Sequence, residues 1–287
     1  MRNILRILVL LPLCFGCNKK EQPSKPTVLV TIAPYAYVVE RIAKDTVALE
    51  TLVPAGMNIH TYEPSPKLVE AAIDSRVWFR IGEPFEKKIV KTIAERNPEQ
   101  KIVNLQDGID LLSSHDAIEL APCIGHDHGT HDLHTWLSPK RFLKQAQVIA
   151  ETLIVLFPEH KATYEKNFND LALDLQTLDR DLKKDLAPYK GEALLVSHPA
   201  FGYYCADYGL IQLSVECEGK DPRPKDIEDI LEKTKIYTVR SVFLQQGFNN
   251  RGAQLIGKKL QLPIYRIEPY AYDYLTNMRQ ITGHITK

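Results

Sequence analysis

The stretch PEHKATYEKNFNDLALDLQTLDRDLKKDL, residues 158–186, decides how the rest of the chain must be arranged. Within it Tyr164, Phe168, Leu171, Leu175, Leu178, Leu182 and Leu186 recur at steps of four and three. That spacing holds one apolar stripe on one face of about seven turns of helix. A coiled-coil partner would use the same spacing, but a single helix packed along the rest of the chain explains it more simply. A helix of this length is a stiff connector between whatever precedes and follows it.

On both sides of the stripe, short β-branched runs alternate with helical ones. Val28 to Ile32, Val47 to Val53, Val77 to Ile81 and Lys101 to Leu105 read as strands, with helices at Tyr37 to Lys44, Pro66 to Asp74 and Glu86 to Arg96. The strand signal restarts at Ala193 to Ser197 and continues at Ile211 to Val215, Ser241 to Gln245 and Ile264 to Ile267. Such alternation predicts an α/β fold: two lobes, each a mostly parallel sheet flanked by helices, joined by one long helix. The expected division is an N-terminal lobe over 27–145, connecting helices over 146–189 and a C-terminal lobe over 190–287. A chain of 287 residues with 44% apolar content has enough material for two cores.

Lys plus Arg and Asp plus Glu both number 36, so there is no net charge to draw the chain to nucleic acid. Residues 1–17 read as a targeting segment: Arg2 and Arg6 precede an apolar run, Ile7 to Phe15, too short to span a bilayer. Gly16-Cys17 closes it, and a polar tether follows over 18–26. A small residue before a cysteine is similar to a lipoprotein processing site, which makes Cys17 the expected lipidation point, although Cys14 stands where that site normally has an aliphatic residue. Cleavage as an ordinary signal peptide is the alternative. Either route takes the protein out of the cytoplasm, to the periplasm or cell surface, with the lipid anchor as its membrane contact. Of the remaining cysteines, Cys205 and Cys217 could form a bridge or stay as two buried thiols, and Cys123 has no partner at zinc-site spacing.

The chemistry lies in four residues at the ends of separate strands or loops. His60 lies in Gly56-Met57-Asn58-Ile59-His60, His134 in His134-Thr135-Trp136-Leu137-Ser138-Pro139, His198 in Ser197-His198-Pro199, and Glu268 in Ile267-Glu268-Pro269. In open α/β sheets ligands gather at the carboxyl ends of strands. Imidazole nitrogens and a carboxylate arriving there from both lobes can close a shell around a transition metal. Taken singly, each is as readily a surface or packed residue; their joint placement makes the case. Asp273 is the fallback carboxylate. A second, looser metal site is conceivable at His126, His128 and His131, although a solvated loop explains that tract as well.

These motifs, with Glu218 to Asp226 and Tyr274 to Met278, resemble the zinc and manganese solute-binding proteins of ABC importers. The resemblance runs from Val28 to about Arg279. It implies two lobes on a backbone helix, an ion bound between them by His60, His134, His198 and Glu268, and a membrane permease with its ATPase as partners. The last motif usually carries aspartate where this chain has Glu268. Three imidazoles and one carboxylate favour Zn2+, with Mn2+ or Fe2+ as alternatives. A monomeric carrier without enzymatic activity is expected. The competing readings are an exported zinc hydrolase, which the absence of an H-E-x-x-H pair disfavours, and an adhesin with incidental metal.

Overall fold

Among the described residues the β-branched runs form eight short strands, and every pairing between these strands is parallel. The computed structural model describes residues 25–113, 131–216 and 222–287. In the N-terminal lobe β1 (Thr27–Val30), α1 (Ala33–Ala43), β2 (Ala48–Thr51), α2 (Pro66–Asp74), β3 (Val77–Arg80), α3 (Glu86–Arg96) and β4 (Lys101–Asn104) follow in turn. Then come α4 (Pro139–Leu156) and the long α5 (Lys161–Leu186). The C-terminal lobe repeats the scheme with β5 (Ala193–Val196), α6 (Gly202–Tyr208), β6 (Ile211–Ser214), α7 (Pro224–Lys233), β7 (Val239–Gln245), α8 (Arg251–Leu260), β8 (Ile264–Ile267) and α9 (Tyr274–Ile285).

Strand order is β2-β1-β3-β4 in one sheet and β6-β5-β7-β8 in the other. Each sheet therefore reverses its winding beside its first strand, and that switch point is where doubly wound sheets hold ligands. The first helix starts at Ala33, four residues before the expected Tyr37, because Pro34 suits the first turn of a helix. At α4 the Ser138 hydroxyl accepts from Arg141 N as the helix cap, and Pro139 opens the helix.

The apolar stripe of α5 is the seam of the molecule. Tyr164, Leu171, Leu175, Leu178, Leu182 and Leu186 are buried, and Phe168 is partly so. They belong to one continuous core that runs from Val28 in the first sheet to Met278 in α9. The helix packs on α1 and α4 on one side and on α6 and α9 on the other. Polar ties fix its position along both lobes. Asn167 donates to the Ile42 carbonyl at 2.8 Å, the Tyr208 hydroxyl donates to Asp179 at 2.8 Å, and Arg279 pairs with Asp181 at 3.0 Å. Two smaller cores cover the outer faces, Leu29 and Trp78 with α2 and α3, and Leu195 and Val242 with α7 and α8.

Cys205 is a buried thiol on α6, while Cys217, like Cys17, Cys123, His126 and His128, lies outside the described residues. No described helix is long and apolar enough to cross a membrane.

Leu175→Ala removes a side chain that is 1% exposed at the middle of the seam. It should cost about 2–5 kcal/mol of unfolding free energy. Urea denaturation should show a lower midpoint with an unchanged slope; a midpoint within error of the parent would mean that α5 does not carry the joint core.

Candidate metal centre

Three chain turns bring imidazoles to one point. His60 sits in a single 3-10 turn after β2, where the Asn58 side chain accepts from His60 N at 2.9 Å. His198 follows β5, and its backbone N donates to Gln245 Oε1 at 2.6 Å, which anchors it to the end of β7. His134 precedes the short turn Thr135–Leu137 that leads into α4. A buried polar chain fixes that turn: Thr135 Oγ1 donates to Gln106 Oε1 at 2.9 Å, Gln145 Nε2 donates to Thr135 Oγ1 at 2.8 Å, and the Tyr35 hydroxyl donates to Gln145 Oε1 at 2.8 Å.

The ring nitrogens that meet are all Nε2. His60 Nε2 lies 3.1 Å from His198 Nε2, which lies 3.4 Å from His134 Nε2. A tetrahedral zinc ion with Zn–N bonds of about 2.0–2.1 Å needs its nitrogens roughly 3.3 Å apart. The observed spacings fall on either side of that value. The side chains of His134 and His198 are 8% and 7% exposed, whereas that of His60 is 34% exposed and forms the open side.

Behind each imidazole stands a buried carboxylate. His134 Nδ1 is 2.7 Å from Asp132 Oδ1, His60 Nδ1 is 3.4 Å from Glu83 Oε2, and His198 Nδ1 is 3.6 Å from Glu216 Oε1. A carboxylate on Nδ1 selects the tautomer whose Nε2 lone pair faces inward and makes that nitrogen a better ligand. Burial lowers the His60 pKa, but the Glu83 hydrogen bond and charge, followed by the charges of Glu216 and Asp132, more than reverse this and hold it above the ordinary imidazole value.

These three acids were not singled out from the sequence. Glu83 and Glu216 follow β3 and β6 just as His60 and His198 follow β2 and β5, so the strand-end rule that found the histidines could have found them too. Asp132, two residues before His134, carried a local signal. Glu83 is presented by a turn that Glu86 organises. The Glu86 carboxylate accepts from Thr31 Oγ1 at 2.6 Å, Ile81 N at 3.1 Å and Gly82 N at 2.7 Å, and Gly82 has φ of +90°.

Glu268, the fourth residue expected at the site, is not part of the cluster. Among the described residues the group of ligand atoms within reach of one ion is His60, His134 and His198, without it. The Glu268 carbonyl is tied toward α9 by Ala271 N at 3.2 Å and Asn277 Nδ2 at 2.9 Å. Its side chain lines a separate cavity of about 510 Å³ with Gln246, Arg266 and Asn277. Asp273 lines the same cavity and caps α9, accepting from Thr276 N at 3.2 Å. His131 is exposed and forms an isolated bridge with Ser113.

The lobes meet directly over the site. Gly247 has φ of +86°, and a Cβ there would stand 3.0 Å from the Gly56 carbonyl oxygen, so only glycine lets the two loops touch. Trp136 Nε1 donates to the Pro269 carbonyl at 2.9 Å, and the Tyr274 hydroxyl to the Trp136 carbonyl at 2.7 Å, which join the His134 segment to the C-terminal lobe.

A family model described as ZnuA, zinc-uptake complex component A periplasmic, matches residues 28–287. A Chlamydia muridarum (strain MoPn / Nigg) protein whose name refers only to metal binding is 33% identical over 278 residues, covering 96% of both chains. The iron ABC transporter substrate-binding lipoprotein MtsA of Streptococcus pyogenes serotype M1 is 28% identical over 262 residues, covering 86% of this chain and 81% of that one. A crystal structure of ZnuA superposes with a TM-score of 0.82 at 27% identity, covering 92% of this chain and 98% of that one.

Exchanging Asp132→Asn keeps the shape but removes the charge behind His134. Zinc affinity should fall about 10–100-fold, read by competition with a chromophoric chelator. An unchanged affinity would show that the carboxylate does not act on the ligand.

Proposed function

This chain belongs to the ZnuA family, the metal-binding solute-binding proteins of ABC importers, and on that premise we propose that its cargo is Zn2+. The observation that carries this reading is the convergence of three Nε2 atoms at 3.1 and 3.4 Å. An all-imidazole set suits zinc, whereas Mn2+ is better served by more oxygen ligands. Fe2+ is the second candidate, since MtsA is named for iron. The protein captures the ion outside the cytoplasm and releases it to a membrane permease driven by an ATPase. Cys17 carries its lipid anchor, and it acts as a monomer, without catalysis and without nucleic acid. His126, His128 and His131 are at most an auxiliary site.

Capture works through burial and charge. A divalent ion entering from the His60 side meets three neutral imidazoles backed by three carboxylates. These offset its charge and compensate for the water it loses on entry. Release then requires the His60 loop and the Gly247 loop to separate, because the three ligands belong to two lobes.

His134→Ala takes one of the two most enclosed ligands away. Zinc content of the purified protein should drop from one per chain to well below it, with affinity weakened at least 100-fold; a variant that still held one zinc as tightly would overturn the assignment. Protons compete for the same nitrogens, so affinity should decline as pH falls through about 6–7, the range of histidine titration. The raised pKa of His60 places the onset toward the upper end of that range. Titrations at several pH values would check this, and a flat profile would exclude imidazole ligands.

A further inference from the structure

Tyr203 joins the two lobes where His134 enters the site. It lies in the first turn of α6, shortly after His198, and is fully buried. On the N-terminal side Leu112 faces Asp132, in register with the antiparallel bridge between Ser113 and His131. Asp132 N donates to the Leu112 carbonyl at 3.0 Å. A hydrogen-bonded antiparallel pair returns that bond directly, here from Leu112 N to the Asp132 carbonyl. Instead the Tyr203 hydroxyl stands between them: it accepts from Leu112 N at 2.9 Å and donates to the Asp132 carbonyl at 2.7 Å.

Asp207, one helical turn further along α6, holds the far end of the His134 segment. Arg141 Nη1 donates to both Asp207 oxygens, at 2.8 and 2.9 Å, and the Ser138 hydroxyl donates to the same carboxylate. The Arg141 guanidinium also lies 4.6 Å from the centre of the Tyr203 ring. Two residues of the C-terminal lobe therefore grip this segment before its turn, at Asp132, and after it, at Ser138 and Arg141. Asp132 in turn meets the imidazole residue twice, since its Oδ1 accepts from His134 N at 2.9 Å and lies 2.7 Å from Nδ1.

We propose that Tyr203 is a positioning residue for metal capture: its hydroxyl spaces Asp132 from Leu112 and so sets the Asp132 carboxylate against His134. This rests on the three-histidine reading. Without the hydroxyl, Leu112 N and the Asp132 carbonyl lose their partner. The pair then restores its second bond by closing up, which moves the carboxylate relative to the imidazole. The segment after β5 thus supplies one ligand, His198, and aligns another.

The test measures Zn2+ affinity by chelator competition, and Co2+ absorption spectra, for wild type, Tyr203→Phe, Asp132→Ala, the double variant of these two, Tyr208→Phe and His134→Ala. Tyr203→Phe keeps the ring under Arg141, and its zinc affinity should fall about 10-fold with shifted Co2+ bands. Tyr208→Phe removes another buried hydroxyl of α6, the one that donates to Asp179 at 2.8 Å, and should bind as wild type does. The double variant should bind much as Asp132→Ala does, because the two residues act as one unit. Losses that multiply would overturn the proposal, as would unchanged affinity in Tyr203→Phe. An equal loss in Tyr208→Phe would also overturn it, since the effect would then be one of helix stability. Should Tyr203→Phe fail to fold, Arg141→Lys takes its place, keeping a cation for Asp207 but losing the flat contact with the ring. Its affinity should fall about 2–5-fold, and an unchanged value would overturn the proposal. Failure of the histidine reading looks different: His134→Ala would then bind as wild type does. If only the role of Tyr203 is wrong, His134→Ala loses its zinc while Tyr203→Phe keeps wild-type affinity.

Discussion

Everything in this molecule depends on holding two lobes at one separation. A tetrahedral ion tolerates errors of only a few tenths of an ångström in ligand position, and the three imidazoles that could hold one come from both sides of a cleft. The buried face of α5 meets that demand. A core that continues from Val28 to Met278 cannot be sheared without exposing the leucines of the seam. The meeting of His60 and His198 at 3.1 Å, across 138 residues of chain, is a product of that rigidity.

The second constraint is electrostatic. Glu83 and Glu216 are each 1% exposed and Asp132 9%. Buried carboxylates are costly unless paired, and the basic groups beside these three are the imidazoles themselves. Pairing through Nδ1 leaves Nε2 free to ligate, so the arrangement that makes the acids tolerable also prepares the site for a cation. The acids serve as second-layer groups, and none of them belongs to the cluster that could hold the ion directly.

Much of this was legible in the chain. The stripe from Tyr164 to Leu186 predicted the connecting helix, and the alternating runs predicted two mostly parallel sheets flanked by helices. Pro139 and Ser138 marked the start of α4, because helix caps are local chemistry. His60, His134 and His198 were recognisable because strand ends in such sheets converge. Glu268 was read by the same rule, and the structure leaves it outside the histidine cluster. A strand end fixes where a residue stands but not which way its side chain turns.

The sequence by itself determined the periodicities and the three histidines that meet, since each is read from residues within a few positions of one another. Tertiary structure alone decided which acid stands behind which imidazole, that Glu268 stays outside the histidine cluster, and that Gly56 and Gly247 come together across the cleft. Those are distances between groups far apart in the chain. They are fixed by how α5 and the two sheets pack, and packing is a property of the whole core rather than of any local pattern.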